Sequence, residues 1–246
     1  MRHMVAFTAN DRLNYLRETL DSWRLVRGIG DAHLIFHVEP GNPHVLKACR
    51  QVDFAAQVTV IENDVRLGPG GNPWQALDTA FGAGAEFAVC AEDDAPVADD
   101  ILEYFTWACG EYRDDRGVLL ACAFQHHRRP GGFGGVVRVP CFYSQVFGTW
   151  AGRWRELLRD DWDRGDTKRG GARLGYDWHI RDAFMEACGF AAVYPCESRS
   201  QVSGQYGGTH LRPEQFEAHL SDCFSAHYEP AAFREVPAEP GGCGYA

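Results

Sequence analysis

The segment Glu86-Phe-Ala-Val-Cys-Ala-Glu-Asp-Asp94 joins an apolar run to three consecutive acids. Its first part, residues 86–91, is short and apolar, which is typical of a buried strand. The acids Glu92, Asp93 and Asp94 stand where that strand ends. In open α/β sheets, ligands bind in the crevice beyond the carboxyl ends of the strands. The segment therefore predicts a strand of an α/β sheet with an acidic ligand site at its end.

Strand-like and helix-like segments alternate on both sides of this run. The predicted strands are residues 4–8, 32–38, 57–61, 86–91 and 117–124. Each of the first four is followed by a helix-like segment, and the first such segment carries Leu13, Leu16 and Leu20 at helical spacing. Residues 68–73, rich in glycine and proline, read as a loop that leads into the third helix. The alternation predicts a parallel sheet covered by helices on both faces.

The pattern changes after about residue 125. The predicted elements there are strands at 136–139, 142–147 and 190–194, a helix from Trp150 and a helix over 177–188. We expect the first two of these strands to form a small antiparallel element of their own. No internal repeat is present. The chain therefore reads as a single domain made of two fused halves, residues 1–124 and residues 125–246.

The composition is that of an acidic globular protein, with 246 residues, 45% hydrophobic residues and a formal net charge of -10. Such a charge repels phosphate backbones, so binding to nucleic acid would need a concentrated basic patch. The densest basic run, residues 126–129, is short and close to glycines. Direct binding to a nucleic-acid duplex is therefore disfavoured.

The nine cysteines include no Cys-x-x-Cys pair, so the spacing typical of zinc sites and thioredoxin-like sites is absent. No run approaches the roughly 18 apolar residues of a membrane span, and the apolar stretch at the start is too short for a signal peptide. We therefore expect a cytoplasmic protein with reduced thiols and no membrane partner.

Three adjacent carboxylates constrain the chemistry of the predicted site. They repel one another and are costly to desolvate unless they share a cation. A hard divalent ion would satisfy them and would also bridge diphosphate oxygens, neutralising the charge that grows on a leaving group. The simpler interpretation is that the acids cap the helix that starts near Pro96. Phosphatases and other phosphoryl-transfer enzymes also place acids here, so the triplet alone does not name a reaction.

Four parts of the chain together resemble one enzyme family. They are residues 5–20, the acids 92–94 with 98–105, the pair Phe147-Gly-Thr-Trp-Ala-Gly-Arg-Trp154 and Tyr176-Asp-Trp-His-Ile-Arg181, and Ser198-Arg-Ser-Gln-Val-Ser-Gly-Gln-Tyr-Gly-Gly-Thr-His210. In this order they are similar to the N-acetylglucosaminyltransferase I family. The resemblance implies a GT-A fold, which is a Rossmann-like nucleotide-binding sheet flanked by helices with a smaller acceptor-side lobe. It assigns nucleotide-sugar binding to residues 1–124 and acceptor binding to residues 125–246.

The resemblance also implies which residues contact the donor. The nucleotide and donor sugar would be bound by Thr8, Asn10, Arg12, Glu39, Glu92 and Asp93. Asn72 follows two glycines and is most simply a helix N-cap. The glycine-rich loop that carries Asn72 could let the backbone approach the donor, so we include Asn72 among the donor-binding candidates.

The resemblance also implies roles for three further residues, in metal binding and in catalysis. Asp94 would be the direct ligand of a divalent metal, Mn²⁺ or Mg²⁺, and His210 would reach the metal or the diphosphate. Asp177 aligns with the catalytic base, and its simpler interpretation is a helix N-cap. The family usually has a second acid just before that base, where this chain has Tyr176.

These assignments predict a metal-dependent, inverting glycosyltransferase that uses a nucleotide diphosphate donor, UDP by resemblance. The acceptor would be a glycan, a protein, a small molecule or a hydroxylated nucleobase. The nucleobase is the least favoured of these because the protein carries a negative net charge. One alternative is a sugar-phosphate nucleotidyltransferase, but residues 8–12 lack the glycine-rich, basic signature of those enzymes. A second alternative is a non-catalytic, carbohydrate-binding relic of the fold. The presence of the acidic triplet and of Asp177 argues against this alternative.

Overall fold

The computed structural model describes residues 3–165, 175–204, 217 and 220–238. The strands are β1 (Met4–Ala9), β2 (His33–Val38), β3 (Gln57–Glu62), β4 (Phe87–Glu92), β5 (Val118–Cys122), β6 (Gly135–Val139), β7 (Val146–Trp150), β8 (Ala191–Pro195) and β9 (Arg234–Glu235). The helices are α1 (Leu13–Arg24), α2 (Pro43–Arg50), α3 (Gly68–Gly82), α4 (Ile101–Glu111), α5 (Ala151–Arg153) and α6 (Tyr176–His179). A short 3₁₀ helix covers Ile29–Asp31, and α5 and α6 continue as π-helical segments over Trp154–Leu158 and Ile180–Glu186.

In the described residues, all nine strands join one sheet in the order β3-β2-β1-β4-β7-β5-β8-β6-β9. The strands from β3 to β4 in this order are parallel. β7 is antiparallel to both β4 and β5, and β6 is antiparallel to β8. The α/β class is confirmed, but the sheet is mixed rather than wholly parallel. The prediction that the strands near 136–139 and 142–147 form their own antiparallel element is wrong, because β6 and β7 lie apart in the main sheet.

Side chains of successive strand residues alternate between two cores, one on each face of the sheet. In β1, Val5 and Phe7 enter the first core and Ala6 enters the second. Helices α1, α2 and α4 cover the first core, whereas α3 and the helical segments after β7 cover the second. The ring of Phe7 stacks on Phe36 with centroids 4.7 Å apart. Helices therefore cover both faces, as the alternation of elements predicted.

Helix α3 begins earlier than the sequence indicated. Residues 68–73, which read as a loop, form its first turns. Pro69 is tolerated there because the first N–H groups of a helix have no intrahelical partner. A Cβ at Gly70 would lie 2.9 Å from the carbonyl oxygen of Asp163, so glycine permits the close approach of that chain. These glycines and prolines serve packing and helix initiation rather than a loop.

Two further expectations concern thiols and membranes. Cys141 forms a disulfide, which contradicts the expectation that all thiols are reduced, while other cysteines in the described residues, such as Cys90 and Cys122, are free. Across the described ranges, no helix is both long enough and apolar enough to cross a membrane.

A buried arginine ties the chain after β8 to the start of α4. Arg199 is fully buried, and its Nε donates to both carboxylate oxygens of Asp100, at 3.1 and 3.0 Å. The same guanidinium donates to the carbonyls of Glu197 and Phe133. It also lies 3.8 Å from the ring centroid of Tyr228. One side chain thus joins four parts of the chain close to the carboxyl edge of the sheet.

Replacement of Arg199 by methionine is expected to lower the free energy of unfolding by about 3–5 kcal/mol, since it leaves the buried Asp100 charge without its partner. The midpoint of urea unfolding measures this loss. Arg24→Met is the matched control, because Arg24 pairs with Asp53 on the surface, where the side chains are 52% and 73% exposed. That pair should contribute about 0–1 kcal/mol. Equal losses in the two variants would contradict the assignment.

Candidate active site

The acids lie where the order of strands in the sheet reverses. From β1 the chain proceeds to β2 and β3 on one side, and it then returns to β4 on the other side of β1. β1 and β4 are parallel neighbours, with Thr8 opposite Glu92. The crevice beyond the carboxyl ends of strands at such a switch point is the usual ligand site of open α/β sheets. Asp93 and Asp94 follow β4 directly at this edge.

Arg12 binds both aspartates. Its Nη2 lies 2.9 Å from Oδ1 of Asp93, and its Nη1 lies 2.8 Å from Oδ2 of Asp94. The backbone N–H of Asn10 donates to Oδ2 of Asp93 at 2.8 Å. Burial opposes the charge of Arg12, but the two carboxylates raise its pKa overall, so the guanidinium is charged. The residues after β1 therefore fix the carboxylates after β4.

The cluster stays crowded with negative charge despite this one cation. Burial and the neighbouring Asp94 raise the pKa of Asp93 to about 6, although Arg12 lowers it. Burial, Asp94, Asp93 and Asp177 together raise the pKa of Glu92 well above its usual value. A bound cation would relieve the repulsion between charges held this close, and a metal at the triplet stays a prediction.

Helix α6 brings Asp177 to the same cluster. The hydroxyl of Tyr176 donates to Oε1 of Glu92 at 3.4 Å, and its ring stacks on Trp162 with centroids 4.5 Å apart. Asp177 is half-buried, and its charge contributes to the raised pKa of Glu92. The N-cap of α6 is Gly175, so the simpler interpretation of Asp177 as an N-cap is wrong. Tyr176 therefore connects the start of α6 to the acidic triplet.

A segment after β8 packs against Asp94. Ser203 donates to the backbone carbonyl of Asp94 from its N–H at 2.9 Å and from its hydroxyl at 3.1 Å. A Cβ at Gly204 would lie 2.0 Å from Oδ2 of Asp94 and 2.7 Å from Nη1 of Arg12. The position therefore accepts only glycine while the ion pair is in place. Sequence reasoning did not single out Ser203 or Gly204, although both lie within the quoted segment 198–210.

Two predicted donor-binding residues make internal contacts at this edge. Thr8 is buried, and its hydroxyl donates to the carbonyl of Ala91 at 3.5 Å. The carboxylate of Glu39 accepts the backbone N–H groups of Leu67, at 3.0 Å, and Gly68, at 2.7 Å. Glu39 thereby joins the end of β2 to the first turn of α3, where a negative charge is favoured. Their contacts to a donor stay predictions.

Asn72 lies inside α3, so the prediction that it is an N-cap is wrong. It is buried, and its Nδ2 donates to the carbonyl of His37 at 3.2 Å. Its Oδ1 accepts from Nδ2 of Asn63 at 3.0 Å, and Asn63 in turn contacts Nδ1 of His37 at 3.1 Å. Burial lowers the pKa of His37. This buried network fixes α3 against β2, and a donor contact of Asn72 stays a prediction.

The fit of these residues to a divalent metal depends on Asp94. No three His, Cys, Asp or Glu side chains converge on a common point among the described residues. Arg12 binds Oδ2 of Asp94, and within the described part of the chain no hydrogen bond reaches Oδ1. One free carboxylate oxygen fits an ion such as Mg²⁺ or Mn²⁺ that takes its other ligands from substrate phosphates and water. His210, the other predicted metal contact, lies outside the described residues.

Comparison with known proteins gives matches in structure only. No protein-family model matches the chain, and no curated protein sequence matches it. The mannosyltransferase PcManGT from Pyrobaculum calidifontis, in complex with GDP-Man and Mn²⁺, superposes with a TM-score of 0.55 at 17% identity, over 89% of this chain and 63% of that one. S. aureus TarS 1-349 in complex with UDP-GlcNAc superposes with a TM-score of 0.60 at 12% identity, over 89% of this chain and 64% of that one.

These similarities establish the fold of the chain. Both neighbours have glycosyltransferase folds of the GT-A type, so the predicted GT-A fold is confirmed. The chain spans less than two thirds of the length of either neighbour. The narrower resemblance to the N-acetylglucosaminyltransferase I family finds no support in either match.

Proposed function

We propose that the chain is a metal-dependent glycosyltransferase that moves a sugar from a nucleotide diphosphate, most simply UDP, to an acceptor hydroxyl with inversion at the anomeric carbon. One observation carries the proposal: at the switch point of the sheet, Arg12 holds Asp93 and Asp94, and α6 adds Asp177 to the same cluster. The neighbours in fold hold GDP-Man with Mn²⁺ and UDP-GlcNAc. The acceptor would be a hydroxyl of a glycan, a protein or a small molecule.

On the donor side, the chain's own residues position one carboxylate oxygen. Arg12 and the backbone N–H of Asn10 fix Asp93, and Arg12 also fixes Oδ2 of Asp94. Oδ1 of Asp94 is then directed by a rigid pair rather than by a freely rotating side chain. When bound, a divalent ion supplies the positive charge that stabilises the departing diphosphate.

On the acceptor side, Asp177 is the proposed general base. The acceptor oxygen forms a bond to the anomeric carbon, the bond from that carbon to the diphosphate oxygen breaks, and the hydroxyl proton passes to the Asp177 carboxylate. Half-burial of Asp177 keeps it reachable by an acceptor while limiting competing water. Tyr176, anchored to Glu92 and stacked on Trp162, fixes the turn that carries Asp177.

A thermal-shift series of nucleotide sugars with Mn²⁺ and with EDTA tests the proposal. A donor at about 100 times its Kd stabilises the native state by about 2.7 kcal/mol, which raises the Tm of a chain of this size by about 5–10 °C. We expect the shift with a UDP-sugar and Mn²⁺ and its loss in EDTA. If no nucleotide sugar shifts the Tm under either condition, the proposal is wrong.

Substitution of Gly204 by alanine is expected to lower kcat/KM by about 10²-fold, because the new Cβ displaces the Arg12–Asp94 pair and an error of about 1 Å at the reacting groups costs this much. Steady-state kinetics with saturating Mn²⁺ measure the change. Gly110→Ala in α4 is the control, since a Cβ there meets nothing within 4 Å. An unchanged kcat/KM in the Gly204 variant would show that the close approach has no bearing on activity.

A further inference from the structure

A second cavity lies at the opposite edge of the sheet from the acids. It has a volume of about 220 Å³, and its lining includes Glu86, Arg113, Arg116, Trp150 and Arg153. Glu86 immediately precedes β4, whereas the acidic triplet lies at the other end of that strand. Six residues of strand separate the two edges by roughly 20 Å at about 3.3 Å per residue. The cavity is therefore distinct from the candidate active site.

The deepest cation of this cavity lacks a counter-ion. Arg153 is only 2% exposed. Its Nη2 donates to the carbonyls of Tyr112, at 2.6 Å, and Asp115, at 2.8 Å. Its Nε is buried without a hydrogen-bond partner, and among the described residues no carboxylate lies within ion-pair distance of it. A buried charge without a partner is costly, so this guanidinium has an unmet requirement for an anion.

The ring of Trp150 holds Arg153 in place. The guanidinium carbon lies 3.5 Å from the ring centroid, a cation–π contact that fixes the plane of the guanidinium. Trp150 is itself fixed by its Nε1, which donates to the carbonyl of Cys109 at 3.1 Å. The guanidinium is thus preorganised rather than flexible, which reduces the entropy lost when a ligand binds.

Two more arginines stand at the mouth of the cavity. The side chains of Arg113 and Arg116 are 57% and 59% exposed. Arg116 pairs with Glu156, whereas Arg113 lies 3.9 Å from the carboxylate of Glu86, at the limit of an ion pair. Burial and the charge of Arg116 lower the pKa of Arg153 to about 10. The local field is therefore positive at Arg153.

We infer that this cavity binds a phosphate-type oxyanion, either free phosphate or a small phosphomonoester, between Arg153 and the exposed side chains of Arg113 and Arg116. Guanidinium groups bind phosphate oxygens through paired N–H donors, and three arginines line this space. The volume exceeds that of one phosphate, so the organic part of a small monoester also fits. The net charge of -10 directs such binding to this local cluster rather than to the surface as a whole.

Isothermal titration with inorganic phosphate, and separately with glycerol 3-phosphate, tests the inference, with NaCl matched in ionic strength as the blank. The proposed donor site is the other candidate for phosphate binding, so Arg12→Gln is included to remove any contribution of Arg12 there. We expect saturable phosphate binding that survives in Arg12→Gln and falls at least tenfold in Arg116→Gln and in Arg113→Gln. Both exposed arginines can be replaced without disturbing a core. Arg24→Gln, at 52% exposure, is the matched control and should bind normally.

The outcomes separate cleanly. Tighter binding of the monoester identifies a phosphorylated metabolite as the ligand, and equal binding identifies phosphate itself; both support the site. Loss of all binding in Arg12→Gln would assign the phosphate to the donor site and overturn the inference. Absence of saturable binding, or binding unaffected by both exposed substitutions, would also overturn it and leave Arg153 as a structural residue. Mass-spectrometric mapping of phosphate protection of Arg113 and Arg116 from phenylglyoxal gives an independent readout.

Discussion

Asp94→Ala is expected to weaken Mn²⁺-dependent binding of the nucleotide sugar by at least about 10²-fold, an effect of about 3 kcal/mol in binding free energy. The reason is that the proposed metal contact is a single carboxylate oxygen, Oδ1 of Asp94, whose orientation Arg12 fixes through Oδ2. Removal of the side chain eliminates that oxygen and leaves Arg12 with Asp93 as its remaining ion-pair partner. Isothermal titration of the donor with and without Mn²⁺ measures the loss.

Two controls separate a functional loss from a folding defect. Asp53→Ala removes a carboxylate that is 73% exposed and should leave donor binding unchanged. The stability of Asp94→Ala should also change little, because relief of the repulsion on Asp93 and Glu92 offsets the loss of one contact to Arg12. Undiminished donor affinity in Asp94→Ala, with Mn²⁺ still required, would rule out Asp94 as the metal contact.

The carboxyl end of β4 was predictable because its signal is local. An apolar run of strand length followed directly by acids places those acids at the edge of a sheet, whatever the neighbouring strands are. The coverage of both faces was predictable for a similar reason, since alternating strands and helices leave few other packings. The signal for the acidic end of β4 lies within one short segment, whereas the coverage of both faces follows from the order of elements along the chain.

The pairing of the later strands was not predictable from local pattern. β7 inserts between β4 and β5 and runs antiparallel to both, a choice made by contacts such as Phe87 opposite Trp150. The would-be Cβ of Gly148 lies 2.3 Å from the ring of Phe87, so glycine lets this ring cover the strand. Periodicity along one strand says nothing about which partner fills its neighbouring position, because register is set by tertiary packing.

The contacts of the site residues were likewise not predictable from the local sequence. The sequence predicted donor contacts for Arg12, Glu39 and Asn72, but it could not show that each already contacts other parts of the protein. The importance of Gly204 could not be predicted for a related reason. Position 204 requires glycine because of its contact with Asp94, which is 110 positions away in the chain. Charges and glycines are visible in a sequence, whereas their partners appear only when the chain has folded.

Asp177→Asn is expected to lower kcat by about 10²–10⁴-fold, the range of a general base, while the KM for the donor stays within about threefold. Asparagine keeps the shape of aspartate and the contacts of the half-buried turn, but its amide cannot accept the proton of the acceptor hydroxyl. The anchors of this turn, Tyr176 on Glu92 and on Trp162, are untouched by the change. Single-turnover kinetics with saturating donor isolate the chemical step.

Asp182→Asn is the matched control for this prediction, because Asp182 is exposed on the same helical segment as Asp177 and should retain full activity. Donor binding by Asp177→Asn, measured through the Mn²⁺-dependent thermal shift, should equal that of the unmodified chain, since the proposed donor contacts lie on β1 and β4. A normal shift with a large loss of kcat assigns Asp177 to proton transfer. Residual transfer within tenfold of the unmodified rate would refute the base assignment while leaving the donor site intact. The configuration of the product, read by NMR at its anomeric proton, then decides between inversion and retention.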